Sequence, residues 1–233
     1  FSSGLWSFST LGWPEKTADL KNYHPTNVLE TGYDIIFFWV ARMILMTTYC
    51  IGEIPFETVY LHGLVRDAQG RKMTKSLGNV TNPVDLIAKY GADATRLSQI
   101  IGTGPGNDSK FSEDKVRAYK KFANKIWNAT RFVLENVKTE NLSADAKILP
   151  EDQKHIDDWN TQLAEIDGDL KTFKFYLAGE KLYHYFWHTF ADVVIEESKT
   201  ALNGPDGEVK ISKQNMLYNI LVATLKALHP FMP

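Results

Sequence analysis

Lys72 and Lys75 lie three residues apart in the run Arg71-Lys72-Met73-Thr74-Lys75-Ser76-Leu77-Gly78. Compact ammonium groups on flexible stems suit a loop that closes over polyphosphate and reopens. Thr74 and Ser76 add hydroxyl donors. Gly70 and Gly78 bracket the loop and let it bend. Arg66 and Arg71 add positive potential nearby. Attack at a phosphorus atom builds negative charge on the phosphate oxygens, and fixed cations stabilise it directly. A solvated basic turn after a strand would have the same composition. The setting separates the two: strand, turn, lysine loop, then helix.

A second group of residues is Glu30-Thr31-Gly32-Tyr33-Asp34. In open α/β sheets ligands bind beyond the carboxyl ends of strands. Gly32 falls there and permits close backbone approach. Asp34 opens the next helix and can accept hydrogen bonds from both hydroxyls of a ribose. It would equally serve as a plain helix-capping acid. His62-Gly63 lies in a second strand, where an interior glycine marks close approach of another backbone or a ligand. A packed core histidine beside a bulge reads the same way.

These groups need elements to hold them. Val28–Thr31 reads as a short strand ended by Gly32. Asp34 to about Tyr49 is almost wholly apolar, with Arg42 its one charged residue after Asp34, and predicts a helix buried on most sides. Within it Tyr33, Phe37, Phe38 and Met43 are expected in the core. Thr58–Val65 is a β-prone run expected to be covered on both faces. Strand, helix, strand is a βαβ unit. After Gly78 the pattern becomes helical: a short helix from Asn82-Pro83 to Tyr90, another over Ala92–Ile101, and a long one from Glu113 to about Val137. Three further helices are expected over Asp152–Leu170, Phe175–Lys199 and Ile211–Leu228, with a polar linker at 138–151. Residues 1–14 read as a loop with buried aromatic anchors. The fold class is therefore α/β followed by all-α, half of a parallel-sheet nucleotide-binding domain and then a helical bundle.

The 233 residues carry a formal net charge of −2, so any RNA contact must come from a local patch. The single cysteine, Cys50, excludes an internal disulfide and a cysteine-rich zinc site, and reads as a buried thiol. No apolar run reads as a bilayer span, and Phe1-Ser2-Ser3-Gly4 has neither an initiator Met nor a signal-peptide pattern. The chain reads as an excised piece of a larger cytoplasmic protein.

The lysine loop resembles the Lys-Met-Ser-Lys-Ser motif of class I aminoacyl-tRNA synthetases, with Thr74 in place of the usual serine. Gly32-Tyr33-Asp34 resembles that family's Gly-x-Asp, and His62-Gly63 its His-Gly. Thr31–Met43, the aromatic stretch Phe1–Pro14, His62–Asp67, Gly91-Ala92-Asp93-Ala94 and His229–Pro233 resemble the family's valine-specific members in particular. The resemblance covers nearly the whole chain. It implies that Lys72 and Lys75 are catalytic, and that Gly32, Asp34, His62, Gly63, Lys72, Met73, Thr74, Lys75 and Ser76 bind ATP. Ile35 and Trp39, four apart on an expected helix face, would line the amino-acid pocket. ATP with Mg²⁺ would be the co-substrate, and valine and its tRNA the partners. No protein metal site, no tightly bound cofactor and no membrane are implied, and a monomeric parent is. The His-Ile-Gly-His-type motif of the family does not occur, which fits a chain starting in the second half of the catalytic domain and inactive alone.

Lys115, Arg117, Lys120, Lys121, Lys125 and Arg131 stud the long helix. Such a face can track phosphates without reading sequence, although a solvated face has the same look. The resemblance implies tRNA binding there. The expected domains are 1–78 for the C-terminal half of the catalytic domain, 79–112 for a connecting segment and 113–233 for a truncated anticodon-binding bundle. An isoleucine or leucine tRNA ligase, and a tRNA-binding module without catalysis, are the alternatives.

Overall fold

The computed structural model describes residues 1–143 and 146–233. They gather into two compact units: Phe1–Ser76 with Thr103–Phe111, and Leu77–Gly102 with Ser112–Pro233. Residues 144 and 145, in the expected linker, lie outside the described residues.

The strand unit starts with helical turns rather than a loop: a 3-10 turn at Ser2–Gly4, α1 (Trp6–Ser9) and α2 (Ala18–Tyr23). Thr17 caps α2 by accepting from the Leu20 amide at 3.1 Å. Strand β1 (Thr26–Gly32) pairs in parallel with β2 (Phe56–His62), in a register running from Thr26 opposite Phe56 to Gly32 opposite His62. The crossover is the apolar run, folded as a 3-10 turn (Tyr33–Ile35), a π turn (Ile36–Val40) and α3 (Ala41–Ile51). Gly52 at φ 84° ends α3.

The expected burial of this crossover is corrected. Only one side turns inward, through Val40, Met43 and Thr47, and Met43 alone of the expected core set is buried. Tyr33 is half-buried, while Phe37 is 78% and Phe38 61% exposed. Leu45 and Tyr49 also face outward. A two-stranded sheet has too little area to cover a helix that is apolar all round. Likewise β2 is half-covered rather than enclosed, and Cys50 is half-buried. Among the described residues Tyr33–Ile51 is long and apolar enough to cross a membrane, contrary to the sequence expectation, because the three helical turns run on without a break.

A second parallel pair is made by β3 (Val65–Arg66) and β4 (Ser109–Lys110). The loop before β4 lies so close that a Cβ on Gly63 would stand 1.8 Å from the Asn107 carbonyl oxygen. Gly63 is therefore required by the protein's own backbone.

The helical unit contains α4 (Pro83–Tyr90), α5 (Ala92–Ile100), α6 (Glu113–Asn136), α7 (Pro150–Lys171), α8 (Phe175–His184), α9 (Ile195–Leu202) and α10 (Glu208–Leu228). A π segment at Tyr185–Val194 joins α8 to α9, as the single long helix in the sequence anticipates. Asn82 caps α4 by accepting from the Val84 amide, with Pro83 at the first turn. Trp159, Phe186, Phe190, Leu182, Met216 and Leu217 form the centre of a continuous apolar core. Of the aromatics in these helices Trp159, Tyr185 and Phe186 are buried, and Tyr183 and Trp187 are half-buried against the core.

The polar segment after α6 is strapped to α10 by side chains that sequence patterning does not single out. Gln214 accepts from the Asn141 side-chain amide at 2.8 Å and donates to the Asn136 carbonyl at the end of α6, and Asn215 donates to the Asn141 carbonyl and accepts from the Ser143 amide. Ser212 accepts from the Leu149 amide at 2.8 Å. Buried polar groups persist when their partners are present.

Candidate functional site

The lysine loop is built on a rigid base. Asp67 is buried, and its carboxylate accepts from the backbone amides of Gln69 and Arg71 and from the Arg71 guanidinium at 2.8 Å. Gly70 completes the turn at φ 81°. Arg66 and Lys72 then face each other across an antiparallel bridge. Lys75–Leu77 forms a 3-10 turn, and Gly78 at φ 62° releases the chain from the loop. Thr74 and Ser76 are within hydrogen-bonding distance of each other at 3.1 Å, and Lys75 and Ser76 are exposed. Met73, in the middle of the loop, is half-buried.

The two arginines that the sequence adds to the loop's positive potential are engaged elsewhere. Arg71 pairs with Asp67, and the Arg66 guanidinium pairs with Asp108. The hydrogen bond to Asp108 raises the Arg66 pKa, and the Leu64 amide chiefly holds the Asp108 carboxyl below the usual carboxylate range, helped by Arg66 and Tyr33.

The Gly32–Asp34 corner stands at the carboxyl end of β1, with Gly32 opposite His62 in the pairing. Lys72 Nζ lies 3.3 Å from Asp34 Oδ2, so the structure brings the loop and the corner together. A Cβ on Gly32 would meet Asp34 Oδ1 at 2.8 Å and the His62 ring at 3.4 Å. His62 Nδ1 is 2.8 Å from the Gly63 carbonyl, and Nε2 is 3.4 Å from Glu30. Four expected nucleotide-side residues, Gly32, Asp34, His62 and Lys72, thus form one cluster. Among the described residues no group of three or more His, Cys, Asp or Glu could hold a metal ion.

Ile35 and Trp39 do not share an α-helical face. Ile35 closes the 3-10 turn and Trp39 lies in the wider π turn, so the four-residue spacing does not carry the α-helix geometry. Trp39 is nonetheless fixed: its indole donates to the Ser3 carbonyl at 3.1 Å and its ring sits 6.0 Å from that of Trp6.

The basic residues of α6 separate into two sets. Arg117, Lys120, Lys121 and Arg131 are exposed. Lys115 stands seven and fourteen residues before Phe122 and Ala129, on the core side of the helix. Its ammonium donates to the Ile101 carbonyl at 2.7 Å, and burial lowers its pKa. Lys125 is half-buried and pairs with Asp192 at 2.7 Å. Side-chain charge alone could not distinguish these roles; the heptad spacing to Phe122 could have flagged Lys115. A groove of about 620 Å³ between α7 and the helix from α8 onward, lined by Asp158, Gln162, Glu180, His184 and His188 among others, contains none of the expected site residues.

Residues 1–112 match the family described as tRNA synthetases class I (I, L, M and V), and residues 152–233 match the anticodon-binding domain of tRNA ligase. By residues 1–112 the chain carries a class I tRNA synthetase domain. All of it aligns with the valine–tRNA ligase of Clostridium tetani at 49% identity and with that of Petrotoga mobilis at 49%, covering 27% of each. The chain thus spans about a quarter of the length of these relatives. The fold is shared with the Agrobacterium radiobacter K84 LeuRS–tRNA–LeuAMS complex, at TM-score 0.81 and 18% identity over 99% of this chain and 29% of that one. It is shared also with Mycobacterium tuberculosis methionyl-tRNA synthetase bound by methionyl-adenylate, at TM-score 0.77 and 21% identity over 96% of this chain and 45% of that one. Half of a nucleotide-binding parallel sheet followed by a helical bundle is the fold in common.

Proposed function

We propose that the whole protein joins valine to its tRNA through a valyl-adenylate, and that this chain supplies the second half of the activating site. The observation that carries the reading is the meeting of Lys72 with Asp34 beside Gly32, at the carboxyl ends of two parallel strands. A mobile cation and a ribose-type carboxylate then stand at the place where α/β sheets bind nucleotides.

In the first step the valine carboxylate attacks the α-phosphate of ATP and pyrophosphate leaves. Lys75, on the exposed turn, is the main cation for the charge that develops, and Lys72 assists. Asp34 accepts from the ribose hydroxyls. ATP must then displace Lys72 from Asp34; an exposed ion pair of this kind is worth about 0–1 kcal/mol, so the exchange is cheap. It also frees Lys72 for the phosphates. Gly32, His62 and Gly63 flank the nucleotide, and Met73, Thr74 and Ser76 complete the loop over it. Ile35 and the hydrogen-bonded Trp39 wall the valine side chain. In the second step a hydroxyl of the terminal adenosine of the tRNA attacks the valyl carbonyl and AMP leaves. Mg²⁺ enters with the phosphates of ATP. Residues 1–78, 79–112 and 113–233 act as half-site, connection and anticodon-binding bundle, with Thr103–Phe111 of the connection folded into the strand unit. The exposed set on α6, Arg117, Lys120, Lys121 and Arg131, is the phosphate track, and Lys115 and Lys125 serve packing.

The test is ATP–pyrophosphate exchange by the full-length protein, offered valine, isoleucine, leucine and threonine. Exchange strongest with valine supports the reading. Preference for isoleucine or leucine moves the protein to a sister ligase, and tRNA binding without any exchange leaves only an RNA-binding module.

A further inference from the structure

Taking the ligase reading of the site as given, we propose that Asp108 is a positioning residue for adenylate formation, tying the base of the lysine loop to the corner that carries Asp34. Nothing in the resemblance singles it out. It comes from the segment Thr103–Phe111, which belongs to the strand unit although it follows α5 in sequence. That segment lies along the end of β2 and along β3. The Gly106 amide donates to the Leu61 carbonyl at 2.9 Å, the Ser109 amide to Leu64 at 3.0 Å and the Phe111 amide to Arg66 at 2.8 Å. The contact is tight enough to demand glycine at position 63.

From this edge the Asp108 carboxylate reaches both arms of the site. One oxygen accepts from the Leu64 amide at 2.8 Å, and the Tyr33 hydroxyl lies 2.9 and 3.1 Å from the two oxygens. The Arg66 guanidinium donates to the second oxygen. Tyr33 is the residue before Asp34. Arg66 is the residue whose backbone bridges to Lys72. A single anion therefore sets the spacing between the ribose carboxylate and the root of the loop. It also neutralises Arg66, which would otherwise be a third cation close to the lysines.

Positioning of this kind acts on the rate rather than on ground-state binding, because the lysine contacts tighten as charge develops. The alternative is a strand staple with no bearing on the chemistry. The two differ in what a folded variant does. In the full-length protein, Asp108→Asn keeps an acceptor and loses the charge; Tyr33→Phe removes one donor and leaves the charge. Exchange rates are measured per titrated active site, with KM for ATP and valine and the melting temperature alongside. Asp108→Asn is expected to lower kcat roughly 10- to 100-fold, as loss of an orienting partner typically does, with KM for valine unchanged. Tyr33→Phe is expected to lower kcat by less, and to have no further effect in the Asp108→Asn background. An unchanged kcat in both variants, with only the melting temperature reduced, overturns the positioning role and leaves the staple. Should Asp108→Asn not fold, Tyr33→Phe alone decides. Absence of exchange in the unmodified protein overturns the ligase reading itself, a result distinct from a variant that matches an active parent.

Discussion

Among the described residues, the apolar cluster of the helical unit has 22 buried members and that of the strand unit has four. The proposed chemistry falls to the unit with the smaller core. Its crossover helix leaves Phe37, Leu45 and Tyr49 largely exposed, and its loop carries Lys75 and Ser76 into solvent. A loop that must close over a ligand and reopen draws on the low-stability end of a structure. A bundle that presents a charged face needs the opposite, a rigid interior that holds the face in register.

The largest expected effect tests the core. Phe186→Ala, at a fully buried position, should destabilise the helical unit by about 3–5 kcal/mol in chemical denaturation. Phe37→Ser, on the open crossover face, should change stability by about 0.5 kcal/mol or less. Equal losses would erase the contrast between the units. Next comes the chemistry: Lys75→Ala in the full-length protein should lower valine-dependent exchange roughly 100- to 1,000-fold, in line with loss of one transition-state donor, with its melting temperature unmoved. A melting temperature that falls with the activity would make the loop a structural element instead.

Alkaline pH gives a smaller, graded test. Burial pushes the Tyr119 hydroxyl up to about 12 and raises Tyr185 as well, against about 10 for an unfolded tyrosine. A folded value above the unfolded one means stability that is fully present below pH 10 and is lost as pH rises through the folded value. Melting of the helical unit should therefore be flat up to about pH 10 and fall above it, with a shallower fall in Tyr119→Phe. The smallest effect concerns α6. Lys121→Ala should weaken tRNA binding and reduce the salt slope by about 1, as for one lost phosphate contact. Lys115→Ala should leave the slope alone and lower stability, because its ammonium already serves the Ile101 carbonyl.

Much of the architecture is legible in the residues. Asn82-Pro83 marks the start of α4, Ser112 caps α6 by accepting from the Lys115 amide, and Gly52 and Gly91 end helices at positive φ. Local capping and backbone conformation write these signals into adjacent residues. The burial and the helix type of the crossover are not legible in this way. Its apolar run states that the segment avoids water, and says nothing of which neighbours cover each side.

The sequence by itself determined the lysine loop with its flanking glycines, the Gly32–Asp34 corner and the order of strands and helices, since each depends on residues close together in the chain. Tertiary structure alone decided which charges are available for work. Arg66 and Arg71 are matched to Asp108 and Asp67, Lys115 is turned into the bundle, and Lys72 is set against Asp34. Except for Arg71 and Asp67, these partners are separated by 14 to 42 positions. A charge's role depends on the groups within a few ångströms of it, and folding chooses those groups.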